Sequence, residues 1–174
     1  MKKELLSPAG DFETLKQAIH NGCDAVYLGG KRFGARKFAS NFDEQEMVKA
    51  IKYCHLYGVK IYVTVNTIIF DEEVDDCLEY ITFLHKNGVD AVIMQDIGMI
   101  TLVRKVLPNL DIHVSTQAHT HNVNQIRLLE NLGVTRVVLA REMSLDEIKK
   151  INTSLEIDAF VHGALCVCYS GQCL

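Results

Sequence analysis

One sequence unit occurs four times in this chain, and the repetition limits the folds that the chain can adopt. Each copy begins with a glycine and continues into a short, mostly apolar run that is rich in β-branched residues. The four glycines are Gly22, Gly58, Gly88 and Gly133. A glycine suits the left-handed position just past a helix, and a nearly continuous apolar run is typical of a parallel strand buried on both faces. The repeat therefore predicts helices that alternate with parallel strands.

Other segments extend the same alternation. Apolar residues recur on one helical face in segments 44–57 and 74–84, and segment 144–151 opens with a capping-box pattern formed by Ser144 and Glu147. Three more strands are predicted, at residues 4–7, 111–115 and 156–162. Together with the four repeats they make seven strands separated by helical segments, which predicts an α/β protein with a parallel sheet and right-handed crossovers.

Two architectures fit such a chain, the closed eight-stranded (β/α) barrel and the open doubly wound sheet. The units are closely alike, and the run Ser7-Pro8-Ala9-Gly10-Asp11 after the first strand is not a glycine-rich phosphate loop. Both observations favour a TIM-like (β/α) barrel. Because about seven of its eight strands are present, we expect one incomplete barrel domain over residues 1–174, a fragment truncated at the C-terminal cysteine motif. The open strand edges of such a fragment favour self-association.

Charge and hydropathy exclude some classes of protein. A net charge of −4 and an isoelectric point near 6.0 argue against a wholly basic surface for nucleic acid. A local basic patch is still predicted from Lys31, Arg32, Arg36 and Lys37. No apolar run approaches the roughly 20 residues that span a bilayer, and no signal-type apolar core follows the first lysines. We therefore expect a cytoplasmic protein without a membrane partner.

Polar residues follow the predicted strands, where a (β/α) barrel gathers its reactive groups. The candidates for chemistry are Asn66, Gln117, Arg141 and His162. Ser7, Asp96 and Ser115 occupy similar positions, but they can equally well cap the helices that follow. The run His119-Thr120-His121 is a weak metal-binding pattern at the end of the fifth strand.

The cysteines fall into two groups. Cys166, Cys168 and Cys173 lie within eight residues directly after the seventh predicted strand, at a spacing that can ligate zinc or an iron–sulfur cluster. The other three, Cys23, Cys54 and Cys77, lie at a strand start or on apolar helix faces, where cysteine usually acts as a small hydrophobic residue. In a cytoplasmic protein these six residues are expected to be thiols or metal ligands rather than disulfides.

The end of the chain resembles the signature of peptidase family U32, the collagenase-like proteases. The matching residues are Asp158, Phe160, Gly163, Ala164, Leu165, Cys166, Gly171 and Cys173. Asp158 stands where the family has glutamate, which keeps the charge and shortens its reach. The opening segment 5–10, the strand 24–27 and the run Ser115-Thr116-Gln117-Ala118 are similar to the family too, so the resemblance covers the whole chain.

This resemblance implies an enzyme that hydroxylates RNA. Members of the family look like iron–sulfur proteins that act on the wobble uridine of tRNA with prephenate, on ribosomal RNA, or in oxygen-independent ubiquinone synthesis. By that pattern, Cys166 and Cys173 are two of four ligands of a [4Fe–4S] cluster, the other two lie past Leu174, and Cys168 is a bystander. Arg141, Gln117, Asn66 and His162 would line a pocket for a small carboxylated donor or a base, and Arg36 with its neighbours would contact phosphates. The fragment alone is expected to be inactive, with the cluster absent or incomplete.

Two other functions stay open. The family name implies a peptidase, for which Cys166 and His162 could form a dyad, although no orienting third group is evident. The sequence has neither H-E-x-x-H nor G-x-S-x-G, so the common metallopeptidase and serine hydrolase motifs are absent. The other alternative is a redox or metal-sensing module whose cysteines only hold structure.

Overall fold

A computed structural model of the protein describes residues 3–36, 40–163 and 166–172. The chain divides into two compact units, Met1–Ile93 and Met94–Leu174. Seven strands alternate with helices along the chain, so the prediction from the repeated unit is confirmed. Among the described residues, no helix is long and apolar enough to cross a membrane.

In the described part of the first unit, residues 1–93, three strands pair in parallel, a fourth strand begins, and three helices connect them in the chain. Its strands are β1 (Leu6–Pro8), β2 (Ala25–Gly29), β3 (Lys60–Val65) and β4 (Ala91–Met94), the last of which ends in the second unit. Its helices are α1 (Phe12–His20), α2 (Glu44–Leu56) and α3 (Val74–Lys86), with a 3₁₀ turn at Asp71–Glu73. β1 pairs with β2, and β2 pairs with β3, in chain order.

The core of this unit follows from the residue types on its elements. Ala25, Tyr62, Ala91 and Ile93 form a buried cluster on the strands. Small residues on two strands leave room for the large Tyr62 ring, whose hydroxyl donates a hydrogen bond to Glu4. Helices α2 and α3 bury the apolar faces that their sequence periodicity predicts, and α1 buries Leu15 and Ile19.

The second unit, residues 94–174, repeats the alternation. Its helices are α4 (Ile97–Val106), α5 (Val123–Asn131) and α6 (Leu145–Lys149), and its strands are β5 (Asp111–Val114), β6 (Arg136–Val138) and β7 (Glu156–Asp158). A 3₁₀ turn, Thr116–Ala118, follows β5. β5 pairs with β6 and β6 pairs with β7, again parallel and in chain order. A doubly wound sheet reverses its strand order at a switch point, whereas a (β/α) barrel keeps chain order throughout.

Local sequence signals account for the element boundaries. The repeat glycines take positive φ angles, from 68° at Gly58 to 88° at Gly88, as the helix-terminating role requires. Ser144 caps α6 and forms the predicted capping box with Glu147. The last strand is shorter than predicted, because its partner β6 ends at Val138, which pairs with Asp158. His162 therefore lies beyond the strand. The assignment of residues 1–174 to a single domain stays a prediction.

Candidate functional site

The predicted basic patch lies in the segment between β2 and α2 of the first unit. Lys31 Nζ lies 3.7 Å from Asp43 Oδ2, and Arg32 Nη2 lies 2.9 Å from Glu44 Oε1. The Arg32 guanidinium also lies 5.0 Å from the centre of the Tyr80 ring. Two of the four predicted cations are thus paired with carboxylates at the start of α2, which weakens this segment as a phosphate-binding surface. Lys37 lies outside the described residues.

Asn66 directly follows β3, as predicted, and it contacts the same segment. Its side-chain Oδ1 accepts a hydrogen bond of 3.0 Å from the backbone N–H of Ala35. Asn66 therefore holds the backbone of the β2–α2 segment at the strand end. Its predicted role in a substrate pocket stays a prediction.

In the second unit, the segment after β6 holds the cysteine loop, which we define as residues 166–172. Arg141 Nη2 donates a hydrogen bond of 3.1 Å to the backbone carbonyl of Cys168. The Arg141 backbone N–H and Nε each donate a bond of 3.2 Å to Ser170 Oγ. Ser170 is only 2% exposed, so these bonds are shielded from water. The Arg141 side chain is therefore used to fix the loop.

Glu142 completes this attachment from the next position in the chain. Its Oε1 accepts a hydrogen bond of 3.0 Å from the backbone N–H of Ser170 and a longer one from the Ser170 hydroxyl. Partial burial acts to raise the pKa of the Glu142 carboxyl, but the hydrogen bonds from Ser170 outweigh it and lower the pKa below its ordinary value. An ionised carboxylate at this position is the stronger acceptor and holds the loop more firmly.

Gln117 meets the cysteine loop through its backbone. Gly171 has φ +78°, and a Cβ built on it would lie 2.2 Å from the Gln117 carbonyl oxygen. A side chain at position 171 would therefore displace the loop from the turn after β5. This contact gives a physical reason for the glycine in the motif. The structure thus brings Gln117, Arg141 and the cysteine loop together, and the predicted roles of Gln117 and Arg141 in a substrate pocket stay predictions.

Cys166 has the properties of a reactive thiol or a metal ligand. It is exposed, and its pKa is lowered from the ordinary value. The largest cause is a hydrogen bond from the Cys168 backbone, partial desolvation opposes it, and the Cys168 side chain and the Arg141 charge lower the pKa further. A thiolate is the form that attacks electrophiles and binds metals.

Two other predicted site residues stand apart from this arrangement. His162 is exposed and lies four residues past the end of β7. Within the described ranges it has no hydrogen bond or ion pair, and it is not among the groups that shift the pKa of Cys166. Cys173 lies outside the described residues, so its predicted role as a cluster ligand stays a prediction. In the same described ranges, no three His, Cys, Asp or Glu side chains are grouped to hold a metal ion, and this includes the region of His119 and His121.

The sequence reasoning missed Ser170, which is the centre of the loop attachment. The sign of Ser170 in the sequence was its position, because it directly precedes Gly171 of the family's cysteine signature. A serine between cysteines looks like ordinary loop polarity, because its burial and its four hydrogen bonds depend on two residues about 30 positions away.

Fold and site together define a parallel α/β protein of the (β/α)-barrel type with a cysteine loop fixed at the ends of its strands. A solved structure, the U32 peptidase Mk0906, matches the fold with a TM-score of 0.75 at 14% identity, over 91% of this chain and 68% of that one. The sequence profile described as peptidase family U32 matches residues 10–174. The chain belongs to peptidase family U32.

Curated relatives indicate the branch of the family. The chain is 46% identical over 172 residues to a 23S rRNA 5-hydroxycytidine synthase of Escherichia coli, covering 98% of this chain and 26% of the relative. It is 41% identical over 175 residues to tRNA hydroxylation protein P1 of Bacillus subtilis, covering 99% of this chain and 42% of the relative. The chain therefore spans between a quarter and a half of the length of these relatives.

Proposed function

We propose that this chain is the barrel region of an RNA hydroxylation enzyme. The similarity to two proteins named for hydroxylation of ribosomal and transfer RNA supports this proposal, because it extends over nearly the whole chain. The substrate class is RNA, and a tRNA wobble uridine is the nucleoside that we place first. A small carboxylate such as prephenate is the donor that we expect. The cytoplasm, where such RNAs reside, is the expected location.

The observation that carries the proposal is the exposed Cys166 thiol in a loop that Arg141 fixes from the end of β6. The C-terminal ends of the strands are where (β/α) barrels place their active sites. The Cys–His type of peptidase nucleophile has an adjacent base, and in the described structure no such base touches the Cys166 thiol. Its electrostatic partners are a backbone N–H, a second thiol and a guanidinium, all of which stabilise a thiolate.

The donor chemistry fits an iron–sulfur cluster. Cys166 is exposed and its pKa is lowered, as a thiolate ligand requires. We assign Cys166 and Cys173 as ligands, with further cysteines expected elsewhere in the intact protein. When bound, a [4Fe–4S] cluster supplies redox chemistry at this end of the barrel. Arg141 and Ser170 would hold the ligand loop in place and shield its backbone from water.

The test is nucleoside analysis of total tRNA and rRNA from a strain that lacks the gene. We expect one hydroxylated pyrimidine to disappear, and the intact wild-type protein to restore it. Cys166→Ala should fail to restore it, because the thiolate is lost. Cys168→Ala is the matched control, since it keeps the backbone N–H and should restore the modification.

The peptidase reading gives the opposite result in the same strains. It is favoured by the family's description and by a relative of Porphyromonas gingivalis named collagenase, which is 32% identical to this chain. If the deletion leaves every RNA nucleoside unchanged while the purified protein cleaves gelatin in a Cys166-dependent manner, the hydroxylation proposal is wrong. An anaerobic visible spectrum of the intact protein adds an independent test, because a colourless, iron-free protein would remove the cluster from the proposal.

A further inference from the structure

Three aromatic rings form a row beside the cysteine loop. The ring centres of His121 and His119 lie 4.7 Å apart at an angle of 35°, and those of His119 and Tyr169 lie 6.4 Å apart at 27°. We call His121, His119 and Tyr169 the ring row. Tyr169 is 67% exposed, His121 is exposed and His119 is half-buried. The row is therefore open to solvent at both ends, and its Tyr169 end belongs to the cysteine loop that carries Cys166.

The backbone around Thr120 builds the histidine part of the row. Thr120 is fully buried, and its carbonyl accepts a hydrogen bond of 2.8 Å from the Ala140 N–H at the end of β6. His119 has the left-handed φ of 55°, and its carbonyl pairs with His121 Nδ1 at 2.8 Å. The bond to the His119 carbonyl orients the His121 imidazole, and the buried Thr120 between the two histidines anchors the backbone that carries both rings.

The cysteine loop positions the third ring. Tyr169 directly precedes Ser170, which is buried and bonded to Arg141 and Glu142. On the other side of Tyr169, the backbone carbonyl of Cys168 accepts a hydrogen bond of 3.1 Å from Arg141. The backbone on both sides of Tyr169 is thus attached to the strand ends, although the ring itself is exposed. A fixed aromatic ring with an open face loses little conformational entropy when a flat ligand binds.

This arrangement has no evident structural purpose. Exposed aromatic rings contribute little burial energy, and Tyr169 and His121 have polar atoms that water can satisfy. Exposed rings on a fixed backbone are instead the usual means by which proteins bind unpaired bases of RNA. Stacking on such a ring is tolerant of sequence, because every base has a π face.

We propose that the ring row binds a nucleobase of single-stranded RNA, which stacks on the exposed face of Tyr169. The inference rests on the proposed function and deepens it, since it names the residues that receive an unpaired base beside Cys166. His119 supports the tyrosine from behind, and His121 extends the row. The partner is defined by its chemistry as an unpaired base in a loop or single strand, because a base within a duplex presents no open face.

The experiment measures binding of a fluorescent single-stranded RNA of about 12 nucleotides, within the usual range of such sites, to the intact protein by anisotropy. We expect Tyr169→Ala to weaken binding by at least about tenfold, as loss of a base–aromatic stack does. Tyr169→Phe keeps the ring and should stay within about twofold of wild type. Tyr57→Ala is the matched control, because Tyr57 is 51% exposed and also packs on an aromatic ring, Tyr53, in the first unit.

Wild-type protein is also titrated with RNAs that carry one abasic site, scanned through the sequence. One abasic position should weaken wild-type binding and have no effect on Tyr169→Ala. If no position weakens wild-type binding, or if Tyr169→Ala binds as tightly as wild type, the ring row does not bind a base. Retention of a cellular protein in place of RNA by the wild type, with loss of retention in Tyr169→Ala, would also overturn the proposal.

Nucleoside analysis separates this inference from the proposed function. If the wild-type gene restores the hydroxylated nucleoside and Tyr169→Ala restores it equally, with unchanged RNA binding, only the ring row is wrong. If the wild-type gene restores no nucleoside, the proposed function fails, and the ring row loses its basis with it. Loss of both RNA binding and modification in Tyr169→Ala, with Tyr169→Phe and Tyr57→Ala active, supports both.

Discussion

Cys54 in the first unit and Cys166 in the second carry the same side chain in opposite environments, which shift the thiol pKa in opposite directions. Cys54 is fully buried on α2, and its pKa is raised to about 12, mainly by burial and further by Cys23 and Asp90. Cys166 is exposed in a loop, and the Cys168 backbone N–H, against some desolvation, lowers its pKa with help from the Cys168 side chain and Arg141. The first thiol acts as a small apolar group, and the second is prepared to ionise.

The arginines of the two units differ in the same manner. Arg32 forms an ion pair with the carboxylate of Glu44, which neutralises its charge locally. Arg141 donates to a backbone carbonyl and a serine hydroxyl, both neutral, and its charge acts on the Cys166 thiol as well as on the Glu142 carboxylate. The chemistry of a residue in this protein therefore follows from its partners. Among the described residues, only the second unit combines a cation, an exposed thiol and a fixed loop.

The largest expected effect is on thiol reactivity. At pH 7.5 and without denaturant, we expect iodoacetamide to label Cys166 more than about a thousandfold faster than Cys54, from the thiolate fractions alone. Burial of Cys54 widens the difference further. Peptide mass spectrometry after timed quenching measures both rates in one sample of cluster-free protein. In urea the two rates should converge, and a similar rate for both thiols in the folded protein would contradict the comparison.

A smaller effect is expected on stability. Cys54→Ser places a hydroxyl in an apolar site and should reduce the free energy of unfolding by about 1–3 kcal/mol. Cys166→Ser lies on an exposed loop and should change it by less than about 0.5 kcal/mol. Urea unfolding followed by circular dichroism measures both. Equal losses in the two variants would mean that the loop thiol also packs in the protein, which would remove the distinction between the two cysteines.

The sequence predicted the surroundings of Cys54 better than those of Cys166 and Arg141. The helical periodicity around Cys54 and the glycine at each repeat depend on neighbours within about one helical turn, which a single sequence contains. The contacts of Arg141 with Cys168 and Ser170 join positions that are 27 and 29 residues apart. No periodicity encodes such pairs, so the motif located the site without its geometry.

The same difference between local patterns and contacts of distant residues explains two predictions that the structure corrects in detail. Strand β7 ends at Asp158 because the length of its neighbour β6 decides where pairing stops, and apolar residues such as Phe160 extend the pattern past that point. Lys31 and Arg32 formed a basic run in the sequence, but the acidic residues that neutralise them come from the start of α2, 12 residues later in each case. Local patterns therefore describe elements well and surfaces poorly.

The smallest expected effect separates charge from attachment at Arg141. In Arg141→Gln the guanidinium no longer favours the Cys166 thiolate, so the pKa of Cys166 should rise and its labelling rate below that pKa should fall about two- to fivefold. Its pH–rate profile should shift to higher pH, because a thiol with a higher pKa needs a more alkaline solution to ionise.

Arg141→Lys keeps the charge but cannot reach both Ser170 and Cys168 with one planar group. If Lys preserves the labelling rate and Gln does not, the charge sets the reactivity of Cys166; if both reduce it equally, the attachment of the loop does. An unchanged profile in Arg141→Gln would leave the Cys168 backbone N–H as the main cause, and the contrast between Arg32 and Arg141 would not extend to the chemistry of the thiol.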